Sequence, residues 1–200
     1  MFMIVFSNLV NKEPFSIFQA LYEKALSNNQ KNIEACAISS FNHKKKEVST
    51  RFVNIKHVNK NSFTFYSNYN SSKAGDFESH NQVSMTFYWN AINLQIRIKA
   101  HIKKSNENKS DAYFLKRNLD KNRLAILSDQ SKPIKSYEHL VKNFKIFDLN
   151  KDLTIRPKYW GGYDCIPYYF EFWEGHEYRL NKREVFEEVD GIWLYSILQP

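Results

Sequence analysis

Glycine and proline are scarce in this 200-residue chain, five of each, which argues against disorder and against repeat or low-complexity architecture. Cysteine is scarcer still. Cys36 and Cys165 lie far apart and outside any C-x-x-C pair, so neither a zinc site nor a disulfide framework is expected, and a reducing compartment fits. Cys36 sits in an apolar run and reads as a small core residue. Long apolar runs are missing too: the opening Met1–Phe6 is apolar but short, with no basic leader and no small-residue cleavage pattern after it. That makes a poor signal peptide and a stretch too short to span a bilayer. It is expected to be part of a packing arm, residues 1–12, on a cytoplasmic protein with no membrane partner. The chain has no Walker string and no G-x-S-x-G, and its six histidines show no metal-ligand spacing, so no metal site is expected.

What is present is aromatic and basic. Aromatic residues make up 16% of the chain and apolar residues 42%, enough for one domain with a real core, residues 13–200. A net charge of +8 favours anionic partners, among them nucleic acid, headgroups and phosphorylated small molecules. Lys44–Lys46 and Lys103–Lys104 read as solvated turns, and no RNP-like or glycine-rich recognition string supports nucleic acid.

Glu13-Pro14 precedes Phe15, Phe18, Tyr22, Ala25 and Leu26, whose three-and-four spacing predicts a helix to about Ser27, stopped by Asn28-Asn29. Strands are expected at 35–39, 48–57, 62–67, 83–89, 94–102, 168–173, 178–187 and 192–198, with Asp190-Gly191 as the last hairpin turn. In the second of these, alternation places Arg51, Val53 and Ile55 on one face and Asn54 and Lys56 on the other. Gln95, Arg97 and Lys99 alternate with Ile96, Ile98 and Ala100. The polar loop 68–72 feeds a short helix at about 73–78, a place where an anion meets free N–H groups. Helices are also expected at 110–118 and, with Ser136 as a possible N-cap, at 136–147. Many strands, few helices and no regular βαβ alternation predict a mainly β, antiparallel barrel with helical decoration.

The stretch 157–183 concentrates chemistry. Arg179 and Arg183 follow the Trp173 indole by a short turn, a pairing that suits a ligand with an aromatic face and a phosphate. A β-hairpin with surface arginines fits the same pattern. Trp160-Gly161-Gly162-Tyr163, then Glu171-Phe172-Trp173-x-Gly175, then Arg179-Leu180-x-x-Arg183 and a final Leu198-x-Pro200 resemble the C-terminal segment of the pyridoxamine 5′-phosphate oxidases. The resemblance extends from about Glu13 to Pro200. It implies an FMN-binding split β-barrel, a homodimer formed through about 157–200, and oxidation of a vitamin B6 phosphate.

The same resemblance implies site residues. For FMN these are Arg51, Val53 and Lys56; Tyr66, Ser67, Ser72 and Lys73; Gln95; Gln130 and Ser131; and Trp173 with Arg183. For the substrate phosphate they are Lys56, Tyr113, Arg117 and Lys121, and for the reacting carbon the catalytic pair Arg179 and Asn181. Three positions depart from the family pattern: Ser72 and Asn181 replace an arginine and a histidine, and Lys121 a serine. A guanidinium missing from a phosphate cradle removes a bond worth roughly 1.5–3 kcal/mol, and an amide cannot titrate near neutrality as an imidazole does. The basic N-terminal arm of the family is replaced by Met1–Phe6. These departures keep alternatives open: an oxidase of the same fold acting on another substrate, such as a phenazine-type intermediate, or a non-catalytic flavin or pyridoxal phosphate-binding protein.

Overall fold

A computed structural model describes residues 3–9, 13–147 and 151–200; Met1, Phe2 and the expected arm boundary at residue 12 lie outside them. Among the described residues the chain forms ten strands and five α-helices: β1 Val5–Ser7, α1 Phe15–Ser27, β2 Ala35–Asn42, β3 Glu47–Asn54, β4 His57–Asn59, β5 Ser62–Asn68, α2 Ser72–Ser79, β6 Gln82–Trp89, β7 Leu94–Lys104, α3 Glu107–Lys116, α4 Leu119–Leu127, α5 Tyr137–Lys145, β8 Trp160–Glu174, β9 Lys182–Val189 and β10 Ile192–Ile197. Strand outweighs helix, as expected.

The strands form one sheet in the order β1-β4-β5-β8-β7-β6-β2-β3, with β9 pairing β8 and β10 pairing β9. All pairings are antiparallel except β1 with β4, which is parallel and makes the sheet mixed. The ladder does not close. It is strongly curled, however: Phe63 of β5 and Phe87 of β6 sit three ladders apart, about 14 Å in a flat sheet, yet their ring centroids are 6.5 Å apart. The curl encloses α1. Phe15, Phe18, Tyr22 and Ala25, the residues on its three-and-four stripe, are buried, with Phe18 edge-on to Phe63 at 4.9 Å and Phe15 edge-on to Phe170 at 5.2 Å, geometries that ring quadrupoles favour. Asn29, at φ 58, takes the left-handed turn that asparagine tolerates.

Near the N-terminus, Ile4 is buried and its N–H donates to the Tyr22 hydroxyl at 3.0 Å, while Phe6 lies 5.1 Å from the Tyr22 ring. Other elements differ from expectation. The predicted strand 48–57 is two strands, because β3 ends at Asn54 and the next amides change partners: Ile55 N donates to Glu34 O and Lys56 N to Thr64 O. Strand β8 begins at Trp160 and not 168, and β9 at Lys182 and not 178. In β8, the register shift opposite Lys99 and Ala100 falls at Pro167 to Tyr169, a bulge where a residue without an N–H is tolerated. Helix α3 starts at Glu107 under an Asn106 cap and ends before 118, and α4 was not expected. Asp190 and Gly191, at φ 51 and 79, make the expected hairpin turn.

Candidate functional site

A cleft of about 610 Å³ opens between the β3–β5 end of the sheet and the α3–α4 corner. It collects Val53, Lys56, Tyr66, Ser67, Lys73, Tyr113, Arg117, Lys121 and Gln130, all expected site residues, and adds Lys116, Asn118 and Trp160. Among the described residues none that lines it is acidic.

The break after β3 is what brings Lys56 into the cleft with Val53, although strict alternation set them on opposite faces. Lys56 Nζ lies 3.7 Å from Glu34, and burial, with Lys121 and Arg117 contributing, holds its ammonium below the ordinary lysine value. Lys73 is buried at the start of α2. Its Nζ donates to Ser67 Oγ at 3.0 Å and Ser71 Oγ at 3.3 Å, and among the described residues no carboxylate pairs with it. Burial first, then neighbouring Arg51, lowers its pKa. A buried cation held only by hydroxyls is incompletely compensated and favours an anion.

Arg51 itself does not line the cleft. It turns toward α2, pairing with Asp76 at 3.1 Å and donating to Ser40 Oγ at 2.6 Å. Burial opposes ionisation of Asp76, but hydrogen bonds from Asn42, Ser40 and Arg51 outweigh it and keep its carboxyl below the usual range. Ser72 is exposed on α2, and Ser131, at φ 71, is exposed beside Gln130; neither lines the cleft. Gln130 Oε1 accepts from Asn68 N at 3.4 Å.

Three nearly parallel rings form one wall. Tyr66 stacks on Tyr113 at 3.8 Å and 3°, and on Trp160 at 5.5 Å and 10°. The Tyr66 hydroxyl is buried without a partner among the described residues. Arg117 lies 5.0 Å over the Trp160 ring. Tyr113, Arg117 and Lys121 do not ride one helix: Tyr113 is in α3, Arg117 is the extended residue that ends it, and Lys121 is in α4. The corner still puts all three in the cleft.

The remaining expected residues form a second group at the opposite end of the fifteen-residue β8, a strand of up to about 45 Å. Gln95 pairs with Trp173, and Trp173 with Arg183, so these three form a row across β7, β8 and β9. Arg183 donates to Glu171 at 2.9 Å and to the Gln199 carbonyl at 2.9 Å. Arg179 is exposed at φ 59, and Asn181 Oδ1 accepts from His176 N at 3.0 Å. None of Gln95, Trp173, Arg179, Asn181 and Arg183 lines the cleft of its own chain. Trp160, which lines the cleft, was not among the expected site residues, although the Trp-Gly-Gly string marked it.

Residues 23–147 match the family described as pyridoxamine 5′-phosphate oxidase, and residues 160–200 match the pyridoxine 5′-phosphate oxidase C-terminal dimerisation region. Relatives named pyridoxine/pyridoxamine 5′-phosphate oxidase include one from Leptospira biflexa, 33% identical over 94% of this chain and 89% of the relative, and one from Bdellovibrio bacteriovorus, 34% identical over 96% and 98%. Among solved structures, PhzG from Burkholderia lata in complex with tetrahydrophenazine-1-carboxylic acid aligns with a TM-score of 0.86 at 21% identity, covering 94% of this chain and 93% of that one. A pyridoxamine 5′-phosphate oxidase-related, FMN-binding protein from Nostoc punctiforme aligns at 0.80 and 11%, covering 96% and 100%. The two matched segments and the relatives of 33–34% identity lead to one conclusion: the chain belongs to the pyridoxamine 5′-phosphate oxidase family.

Proposed function

We propose that the chain is an FMN-dependent oxidase that converts pyridoxine or pyridoxamine 5′-phosphate to pyridoxal 5′-phosphate, working as a cytoplasmic homodimer built as a split β-barrel. The observation that carries this reading is the cleft itself, in which lysine and arginine side chains stand beside three parallel rings with no acidic residue among the described residues that line it. Such walls fit a ligand that is flat at one end and phosphorylated at the other.

The residues present fit FMN. Lys73, with Ser67 and Ser71, offers a buried charge and two hydroxyls at the start of α2, where a phosphate also meets helix N–H groups. Arg51 stands behind it, ion-paired with Asp76, and Lys56, Tyr66 and Gln130 border the same space. Bound FMN supplies a two-electron acceptor that dioxygen re-oxidises with release of hydrogen peroxide. The chain's own groups position the substrate: Arg117, Lys56 and Lys121 hold its phosphate and Tyr113 supplies a hydroxyl. For the alcohol, C4′ and its oxygen lose two hydrogens to give the aldehyde; for the amine, water is also taken up and ammonia released.

Arg179 and Asn181 sit outside the cleft of their own chain, as do Gln95, Trp173 and Arg183. The reading therefore has a second copy of the chain deliver them, with Arg179 orienting C4′ and Asn181 hydrogen-bonding it. The exposed apolar residues of β10, Ile192, Leu194, Tyr195 and Ile197, supply the contact. A second reading, an oxidase of this fold acting on another flat substrate such as a phenazine-type intermediate, draws on Asn181, whose amide oxygen is engaged by the His176 amide.

The test is anaerobic. Pyridoxine 5′-phosphate and then pyridoxamine 5′-phosphate are added to FMN-loaded protein while the visible flavin absorbance is followed. Bleaching that recovers in air is expected. No bleaching with FMN still bound rejects the B6 phosphates and leaves the second reading or a binding role.

A further inference from the structure

Among the described residues, five of the seven arginines face a carboxylate, and Arg179 is exposed and does not line the cleft. Arg51 faces Asp76, Arg97 and Arg183 face Glu171, Arg123 faces Asp120 and Arg156 faces Asp111. Arg117, which lines the cleft, pairs with no carboxylate among the described residues. Its Nη1 donates instead to the Lys121 carbonyl at 2.7 Å and to Asn122 Oδ1 at 3.1 Å. Neither Nε nor Nη2 has an acceptor among the described residues, so both are available to a ligand.

Asn122 is fully buried, at 0% exposure, and its amide orientation is over-determined. Nδ2 donates to the Phe114 carbonyl at the end of α3 and to the Leu153 carbonyl, both at 2.9 Å. An asparagine amide has two N–H donors and one oxygen. With both donors committed to backbone carbonyls, Oδ1 has to face Arg117. An aspartate of the same shape would lack those donors and would cancel the charge on the guanidinium; an alanine would leave Nη1 with one anchor.

We propose that Asn122 is a positioning residue for the phosphorylated substrate, holding Arg117 over Trp160 in a fixed orientation without neutralising it. This rests on the reading of the cleft as the site of a substrate phosphate. The consequence is specific to the anion, because a neutral ring makes no call on Arg117, and FMN phosphate is assigned to Lys73.

The test is calorimetric titration of the FMN-loaded protein with two probes that cannot be oxidised at C4′, 4-deoxypyridoxine 5′-phosphate and 4-deoxypyridoxine, in wild type, Asn122→Ala, Arg117→Ala and the double variant. Wild type is expected to bind the phosphate ester far more tightly than the unphosphorylated ring. Asn122→Ala should weaken the ester by about tenfold, the weight of one charge-assisted hydrogen bond, leave the unphosphorylated probe and the FMN content unchanged, and add almost nothing once Arg117 is alanine. If Asn122→Ala does not fold, Asn122→Ser, which leaves a smaller cavity and keeps a hydroxyl, carries the same expectation. Equal weakening of both probes, or full additivity with Arg117→Ala, overturns the proposal. A wild type that does not distinguish the two probes overturns the reading of the cleft instead.

Discussion

Lys73 shows how a single charge couples folding to binding. In the folded chain its pKa lies below the free-lysine value of 10.5, so between the two values the unfolded chain holds the proton more firmly. Stability of the flavin-free protein therefore rises with pH through that window. Replacing the residue removes the effect. Flavin-free Lys73→Met should be at least as stable as wild type at pH 7, with wild type gaining on it as the pH climbs toward 10.5, measured by thermal melts across pH. The same variant should bind FMN about tenfold or more weakly by fluorescence titration, the weight of one charged hydrogen bond. A melt difference independent of pH would show that the ammonium is not strained by burial. The lysine was legible in the sequence through the Ser71-Ser72-Lys73 string; its burial was not, because burial depends on β5 and on Ser67 lying across from it.

Among the elements, β8 does most to arrange the site, since it carries Trp160 at one end and Trp173 at the other. Its first residues run against β5, with Tyr66 opposite Gly162, and a Cβ at Gly162 would come 2.6 Å from Ser105 Oγ and 3.1 Å from a Tyr66 ring carbon. Gly162→Ala should therefore cost about 1–3 kcal/mol, as overpacking does, and push Tyr66 off Tyr113. A lowered melting temperature together with altered near-UV circular dichroism is the expected signature; an unchanged aromatic spectrum would separate the glycine from the ring wall. The Trp-Gly-Gly-Tyr string was visible in sequence, yet the strand was expected to begin only at Tyr168, because glycine is a poor strand former and nothing local reveals the close approach that makes it necessary. Helix α4 was missed for a related reason. Its sequence, LDKNRLAIL, has weak apolar periodicity and only one buried residue, Asn122, so the clearest local clue was Asn118, whose side chain caps it.

At the scale of the whole molecule, the two groups of expected site residues lie at opposite ends of β8, and assembly is what would unite them. Ile192, Leu194 and Ile197 are each more than half exposed, so a charge there costs the isolated chain little while opposing a contact between copies. Leu194→Glu should yield a folded monomer by analytical ultracentrifugation, with unchanged far-UV circular dichroism and weakened FMN retention. A monomer that keeps FMN as tightly as wild type would place the whole flavin site within one chain.

The sequence by itself determined the aromatic stripe of α1, the alternation of β7 and the Asp190-Gly191 turn, since each depends on side-chain period or on a local string, while the family resemblance pointed to Lys56, Lys73, Arg117 and Lys121. Only the tertiary structure decided that Lys56 joins Val53 in the cleft, that Arg51 is spent on Asp76, and that Arg117 is left charged by a buried amide. Those outcomes depend on which backbone partners meet at Ile55 and Lys56, which carboxylate comes within reach, and which carbonyls claim the two hydrogens of Asn122. They are contacts between residues distant in sequence, and no local pattern encodes them.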